Sequence, residues 1–178
     1  MDNRQIPYRL LNWSILFSPL QDNASLAVAW ENLGLDGEFD DAMAQAYVRT
    51  FMVDIPQPKI PLLFSATLQR EASACREDWM RIASHLGMQR VGASLQPDHL
   101  ALACELLAHA WVQGDTVLLQ GIGERYLMPW LEMAMEHCDE PLRSAALVPF
   151  EEEIAALFNA VSKPHDSTHQ SVLSEGIS

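Results

Sequence analysis

The chain has 178 residues, of which 49% are hydrophobic and 20% charged, as in a soluble globular protein made of one domain. Its 24 acidic residues outnumber the 11 basic ones and give a formal charge of −13. This charge argues against a nucleic-acid partner, because binding a phosphate backbone needs a basic surface, and it favours a cationic partner.

The acidic residues are concentrated in the second half of the chain. Between Asp98 and Glu153 there are eleven acidic residues and only two arginines, Arg125 and Arg143. Such a segment either keeps the protein soluble or presents a surface to a basic segment of a partner. The sequence leaves both interpretations open.

Helix-forming residues dominate the chain, without the alternation typical of strands, so the sequence predicts an all-α protein. Prolines, glycines and capping aspartates delimit three helices in the first third. They are expected from Pro7 to before Pro19, from Ala24 to Leu33 with Gly34 behind it, and from Asp40 or Asp41 to about Val53.

A proline-rich stretch follows the third predicted helix. Three prolines between Ile55 and Pro61 predict an extended connection, because proline cannot continue a helix. Ser65 is a candidate N-cap for one long helix that ends at Gly87. A second loop is expected over residues 90–97.

The rest of the chain is predicted to be helical up to a polar tail. The expected helices run from Asp98 to Gln113 with Gly114 behind it, from Asp115 to beyond Pro129, and from Pro141 to Ser162. Pro129 and the two glycines before it predict that the middle helix is kinked or split near Leu127. Residues 1–162 are thus predicted to form a single irregular helical bundle, and residues 163–178 a disordered tail.

The cysteines and the hydropathy pattern indicate in which cellular compartment the protein is expected. Cys75, Cys104 and Cys138 stand far apart in the sequence, which is typical of free thiols in a reducing compartment. No apolar run has the length of a membrane span, and the N-terminal residues lack the features of an export signal. A cytoplasmic protein without stable membrane insertion is expected.

The helix predicted from Asp98 carries most of the informative polar residues. Asp98 precedes an apolar helical run and is interpreted as its N-cap, whereas His99 has no evident structural role. Glu105 and His109 lie one turn apart, so they either pair with each other or form a polar spot in a groove. A metal-dependent enzyme that uses Glu105 and His109 is a further alternative, although no zinc-site spacing of histidines occurs.

Motifs of catalysis are not found in the sequence. Gly121-Ile122-Gly123 is not followed by the G-K-[ST] of a phosphate-binding loop, and there is no G-x-S-x-G nucleophile turn. The sequence therefore predicts a protein that is not an enzyme and has no metal and no cofactor, and it gives no support for nucleotide binding. Trp130 differs from the other tryptophans because it follows Pro129 at the predicted helix break, where a cavity wall is expected.

Three motifs resemble those of one protein family and occur in the same order along the chain. Residues 97–100 (PDHL) with Glu105-Leu106 resemble an E-P-x-D-H-L…E-L segment, and residues 125–131 (RYLMPWL) resemble H-L-x-P-W-L. Residues 47–51 (YVRTF), followed by Pro58, Pro61, Ser65 and Leu68, resemble Y-x-x-x-F…P…P…S-x-x-L. Their order and spacing are similar to those of the TorD/DmsD/NarJ-type redox-enzyme maturation chaperones.

The resemblance implies an all-helical cytoplasmic chaperone of the TorD/DmsD-like type. Such a protein binds the twin-arginine leader of a molybdenum-cofactor oxidoreductase in its apo form and holds back export until the cofactor is inserted. The peptide-binding residues that the motifs imply are Pro97, Asp98, His99, Leu62, Leu63, Ser65, Pro129 and Trp130, to which the polar position of Glu105 adds one more.

The chain departs from the family pattern in two places. Tyr126 stands where the H-L-x-P-W-L segment has its histidine, and residues 62–67 lack the tryptophans often found there. An alternative within the same class is a NarJ-like assembly factor for a membrane-attached respiratory enzyme. The chain is expected to be a monomer or a dimer that exchanges elements through the loop at residues 55–61.

Overall fold

The computed structural model describes residues 5–53, 58–88 and 95–162 and contains helices but no strand within these ranges. In chain order the helices are α1 (Ile6–Phe17), α2 (Asn23–Leu33), α3 (Asp41–Phe51), α4 (Phe64–Thr67), α5 (Ala72–His85), α6 (Leu100–Gln113), α7 (Thr116–Ile122), α8 (Met128–His137) and α9 (Val148–Ser162). Two π-helical segments, π1 (Gly123–Leu127) and π2 (Arg143–Leu147), precede α8 and α9. The predicted all-α fold is confirmed. Parts of both predicted loops, residues 54–57 and 89–94, and the predicted tail at 163–178 lie outside the described residues.

Local capping residues set several helix ends where the sequence predicts them. The carboxylates of Asp22, Asp40 and Asp115 each accept a hydrogen bond from the backbone N–H three residues later, at 2.8 to 3.0 Å. Helices α2 and α6 end at Gly34 and Gly114, whose φ angles of 66° and 70° are the left-handed conformation that glycine adopts without strain.

The prediction of one long helix from Ser65 to Gly87 is wrong. The chain forms the four-residue α4, breaks, and resumes as α5. Gln69 adopts a φ of 50° in the break, and the Glu71 side chain then caps α5 by accepting from the backbone N–H groups of Ser73 and Ala74. Ser65 lies inside α4, whose N-cap is Leu63, so the predicted cap at Ser65 is wrong; its hydroxyl donates to the distant Asp98 carboxylate.

The predicted break near Leu127 is confirmed and takes the form of π1. The N–H of Met128 donates to the carbonyl of Gly123, five residues earlier, just before Pro129. The same arrangement precedes Pro149, where Val148 donates to Arg143, so the uninterrupted helix predicted from Pro141 is replaced by π2 and α9. A proline ring clashes with the carbonyl four residues earlier in an α-helix, and the wider π turn relieves that clash.

The core is centred on α6, which is buried along most of its length and packs against α1. Around it the rings of Trp13, Phe17 and Phe150 join α1 to α9, with centroids 4.8 to 5.7 Å apart. The buried carboxylate of Glu153 accepts hydrogen bonds from the Trp13 indole at 2.9 Å and from Arg9 Nε at 3.0 Å. Helices α1 and α9 are therefore held by both aromatic packing and a buried ion pair.

Gly123→Ala is expected to destabilise the protein by about 1–2 kcal/mol, because a Cβ at this position would overlap the ring of Phe158. Gly121→Ala is the matched control: nothing lies within 4 Å of its Cβ, so the better helix propensity of alanine should stabilise by about 0.5–1 kcal/mol. Urea denaturation of both variants checks the pair. Equal effects of the two substitutions would contradict the close packing at Gly123.

Candidate functional site

The two segments that carry most of the predicted site residues lie side by side. Phe64 N donates to the carbonyl of Asp98 at 3.0 Å, and Leu100 N donates to the carbonyl of Leu62 at 2.8 Å, so Leu63 and His99 form an antiparallel bridge. We call residues 61–65 and 97–100 the junction. It contains six of the predicted residues: Leu62, Leu63, Ser65, Pro97, Asp98 and His99.

Asp98 is the central polar group of the junction, and its side chain is fully buried. One carboxylate oxygen, Oδ2, accepts from both the backbone N–H and the hydroxyl of Ser65, and the other, Oδ1, lies 3.5 Å from Arg76 Nε. Asp98 therefore caps α4 from a distant part of the chain. The interpretation of Asp98 as the N-cap of its own helix is wrong, because α6 begins two residues later.

His99 is the N-cap of α6. Its Nδ1 accepts from the backbone N–H of Ala101 at 3.2 Å, and the residue is almost fully buried. Burial lowers the pKa of His99 from 6.5 to about 4, and the adjacent Asp98 carboxylate opposes this shift in part. The imidazole is therefore neutral at physiological pH, which keeps Nδ1 available as an acceptor.

Trp130 lies in the core and contacts the junction from α8. Its indole N–H donates to the carbonyl of Pro61 at 3.0 Å, and the same carbonyl accepts from the Thr67 hydroxyl at 2.8 Å. The structure thus places Trp130 behind the junction, fully buried, where it supports the junction from the core and does not line an open surface. Pro129, its neighbour, is half-buried and faces a different surface.

Glu105 is not part of the junction. It is half-buried about 9 Å along α6 from His99 and accepts from the Ser14 hydroxyl of α1 at 3.0 Å. His109 is exposed, and the predicted pairing of Glu105 with His109 gives way to this contact with α1. Within the described residues no three His, Cys, Asp or Glu side chains are arranged to hold a metal ion.

Sequence reasoning missed a cluster of aromatic and charged side chains beside the junction. The Trp79 ring stacks on Phe64 at 5.1 Å, and the Tyr126 ring lies 4.9 Å from Trp79. The Tyr126 hydroxyl donates to Asp78 at 2.9 Å. Burial, with a smaller contribution from this hydrogen bond, raises the pKa of Tyr126 to about 12. The only signal in the sequence was the replacement of the family's histidine by Tyr126.

A groove of about 480 Å³ opens on the other side of α8. We call it the acidic groove. Its lining residues come from π1, α8 and α9: Glu124, Met128, Pro129, Leu131, Glu132, Met135 and Glu151. Of the predicted site residues, Pro129 alone is among them. The groove combines a partly apolar floor with carboxylates at its edge, which is a composition suited to a ligand with both apolar and cationic groups.

Comparison with known proteins identifies the fold. No family model and no curated protein matches the sequence. The structure is similar to the crystal structure of an Archaeoglobus fulgidus protein that is provisionally assigned as a redox enzyme maturation protein, with a TM-score of 0.58 at 15% sequence identity. The likeness covers 88% of this chain and 94% of that one. At this identity it shows a shared fold, and the predicted resemblance is confirmed at that level.

Across the parts of the chain that the structure describes, none of the helices combines the length and the apolar character needed to cross a bilayer.

Asp98→Ala is expected to lower the free energy of unfolding by about 2–4 kcal/mol, because it removes two hydrogen bonds to Ser65 and leaves Arg76 without its buried partner. Asp36→Ala, which truncates an exposed aspartate, should change it by no more than about 0.5 kcal/mol. Urea denaturation at neutral pH measures both. A loss at Asp98 as small as that of the control would show that the carboxylate does not hold the junction.

The buried His99 makes stability depend on pH. Its folded pKa of about 4 lies below the unfolded value of 6.5, so the unfolded chain binds the proton first and the folded state loses stability as the pH falls from 6.5 towards 4. His99→Asn keeps a capping acceptor but does not titrate. Between pH 7 and 4.5 the wild type should lose about 2 kcal/mol more stability than this variant. Parallel losses in the two proteins would contradict the buried, neutral imidazole.

Proposed function

We propose that this protein is a cytoplasmic chaperone that binds the twin-arginine leader of a molybdenum-cofactor oxidoreductase and assists its maturation before export. The observation that carries the proposal is the fold shared, over most of both chains, with a protein assigned to redox enzyme maturation. Parts of the three motifs that suggested the family meet at the junction, where residues 61–65 pair with residues 97–100 and Trp130 contacts Pro61. This proximity supports the resemblance to the family.

The charge of the chain supports a client with a cationic segment. A twin-arginine leader joins two arginines to an apolar stretch, and a protein with a formal charge of −13 attracts such a peptide at long range. Carboxylates accept from both edges of a guanidinium group, so the arginines would be recognised by hydrogen bonds as well as by charge.

The predicted leader-binding residues take different roles in this proposal. Asp98 and His99 are buried and already hydrogen-bonded, so we propose that they position the junction. Pro97 and Leu63 are half-buried and are the members of the junction that a leader can reach. Binding without turnover requires no catalytic group and no cofactor.

The proposal assigns the chaperone domain to residues 1–162. A client would be the apo form of the oxidoreductase together with its leader, and the chaperone would act as a monomer or as a dimer with exchanged elements. Residues 163–178 are not needed for the binding that we propose.

Calorimetric titration with a panel of twin-arginine leader peptides tests the proposal. At least one leader should bind selectively over the same peptide with its arginine pair replaced by lysines, because lysine lacks the planar guanidinium fork. Its affinity should fall as salt is added, since part of the attraction is between exposed charges. His99→Asn, which preserves the cap, should bind the leader as the wild type does if His99 only positions the junction.

Binding of no leader above the lysine controls would sink the proposal for export leaders. Titration with the intact apo-oxidoreductase subunits would then test an assembly role of the NarJ type. Measurement of unfolding free energy beside each titration separates a lost binding contact from a lost fold.

A further inference from the structure

The acidic groove carries an apolar stripe along one face of α8. Met128, Leu131 and Met135 follow the spacing i, i+3 and i+7, which places them above one another over about 10 Å of helix. Leu131 is buried and forms the floor, whereas Met128 is 46% exposed. An exposed methionine beside a groove is a flexible apolar contact that adapts to different side chains.

Carboxylates border this stripe. Glu132 lies on α8 next to Leu131, Glu124 lies one turn before Met128, and Glu151 faces the groove from the first turn of α9. None of the salt bridges among the described residues involves these three glutamates. Glu124 accepts a hydrogen bond from the neutral Gln120 side-chain amide at 2.8 Å, so no salt bridge among the described residues compensates the negative charges of the three carboxylates and they can attract a cationic ligand.

The charge of the chain restricts what can occupy the groove. A second copy would bring a formal charge of −13 of its own towards three carboxylates, and this repulsion disfavours self-association at the groove. An anionic or purely apolar partner would leave the glutamates unpaired at the contact. A peptide with arginines beside an apolar run matches both parts of the surface.

We infer that the acidic groove binds the arginine-bearing, apolar segment of the client leader, which places the leader contact on α8 and α9 and not only at the junction. This inference rests on the proposed function. The arginines of the leader contact the glutamates, and the apolar side chains of the leader cover Met128 and Met135. Helix α8 then serves two surfaces, because its buried face contacts the junction through Trp130 and Pro61.

Matched variants separate the groove from general charge and hydropathy effects. Glu132→Gln with Glu151→Gln removes two charges at the groove, and Glu31→Gln with Glu38→Gln removes two exposed charges from the α2 region. Met128→Gln has its counterpart in Met80→Gln on α5, where the methionine is 48% exposed. The probe is a synthetic peptide with two adjacent arginines followed by a run of leucine and alanine, and calorimetry measures its affinity.

The groove variants should each weaken binding about five-fold or more, which is the effect of losing exposed ion pairs or half of a methionine contact. The control variants should stay within about two-fold of the wild type, because they alter the same charge or apolar area at a distance. Urea denaturation checks that all four variants remain folded.

The outcomes distinguish the two proposals. If the wild type binds the peptide and the groove variants bind it equally well, the groove is not the leader site, and the chaperone proposal stands. If the wild type binds neither this peptide nor any natural leader, the proposed function fails, and the groove inference fails with it. If light scattering shows that the wild type is a dimer and that the groove variants alone are monomers, the groove is the contact with a second copy of the chain, and the inference is overturned.

Discussion

The Asp98 carboxylate is the interaction on which the junction depends. A helix of four residues such as α4 has too few hydrogen bonds to stabilise itself, and Asp98 supplies its N-terminal cap from outside the helix. The same carboxylate engages Arg76 of α5, so one buried group joins α4, α5 and the start of α6. Burying a charge is costly unless it is paired: the two hydrogen bonds from Ser65 satisfy Oδ2, whereas Oδ1 makes no hydrogen bond and has the Arg76 guanidinium 3.5 Å away as its ion-pair partner.

A second buried carboxylate, Glu153, joins a different pair of helices in a similar way. Glu153 of α9 accepts from Arg9 and Trp13 of α1, while Asp98 connects the middle of the chain. Trp130 ties α8 to the junction through the Pro61 carbonyl. The contacts of Asp98, Glu153 and Trp130 fix the helices that carry the junction and the acidic groove. The two surfaces are therefore held at fixed positions by one packed core.

Sequence reasoning predicted those elements whose signals are local. Caps by Asp40 and Asp115 and the break before Pro129 depend on residues within one or two turns, and the structure confirms them. Contacts between distant residues were out of reach. The partner of Asp98 is 33 positions away and the partner of Glu105 is 91 positions away, so no spacing in the sequence indicates either one. The acidic groove escaped prediction for the same reason, because Glu151 joins it from a different helix.

The dependence of α4 on Asp98 has a consequence for the order of folding. The first turn of a helix is costly to nucleate, and α4 offers little beyond that turn to repay the cost. We therefore expect α4 to form only after the start of α6 has docked against residues 62–64, which closes a loop of more than thirty residues. In a newly made chain, residues 61–71 are therefore expected to stay accessible to proteases until α6 has packed against α1.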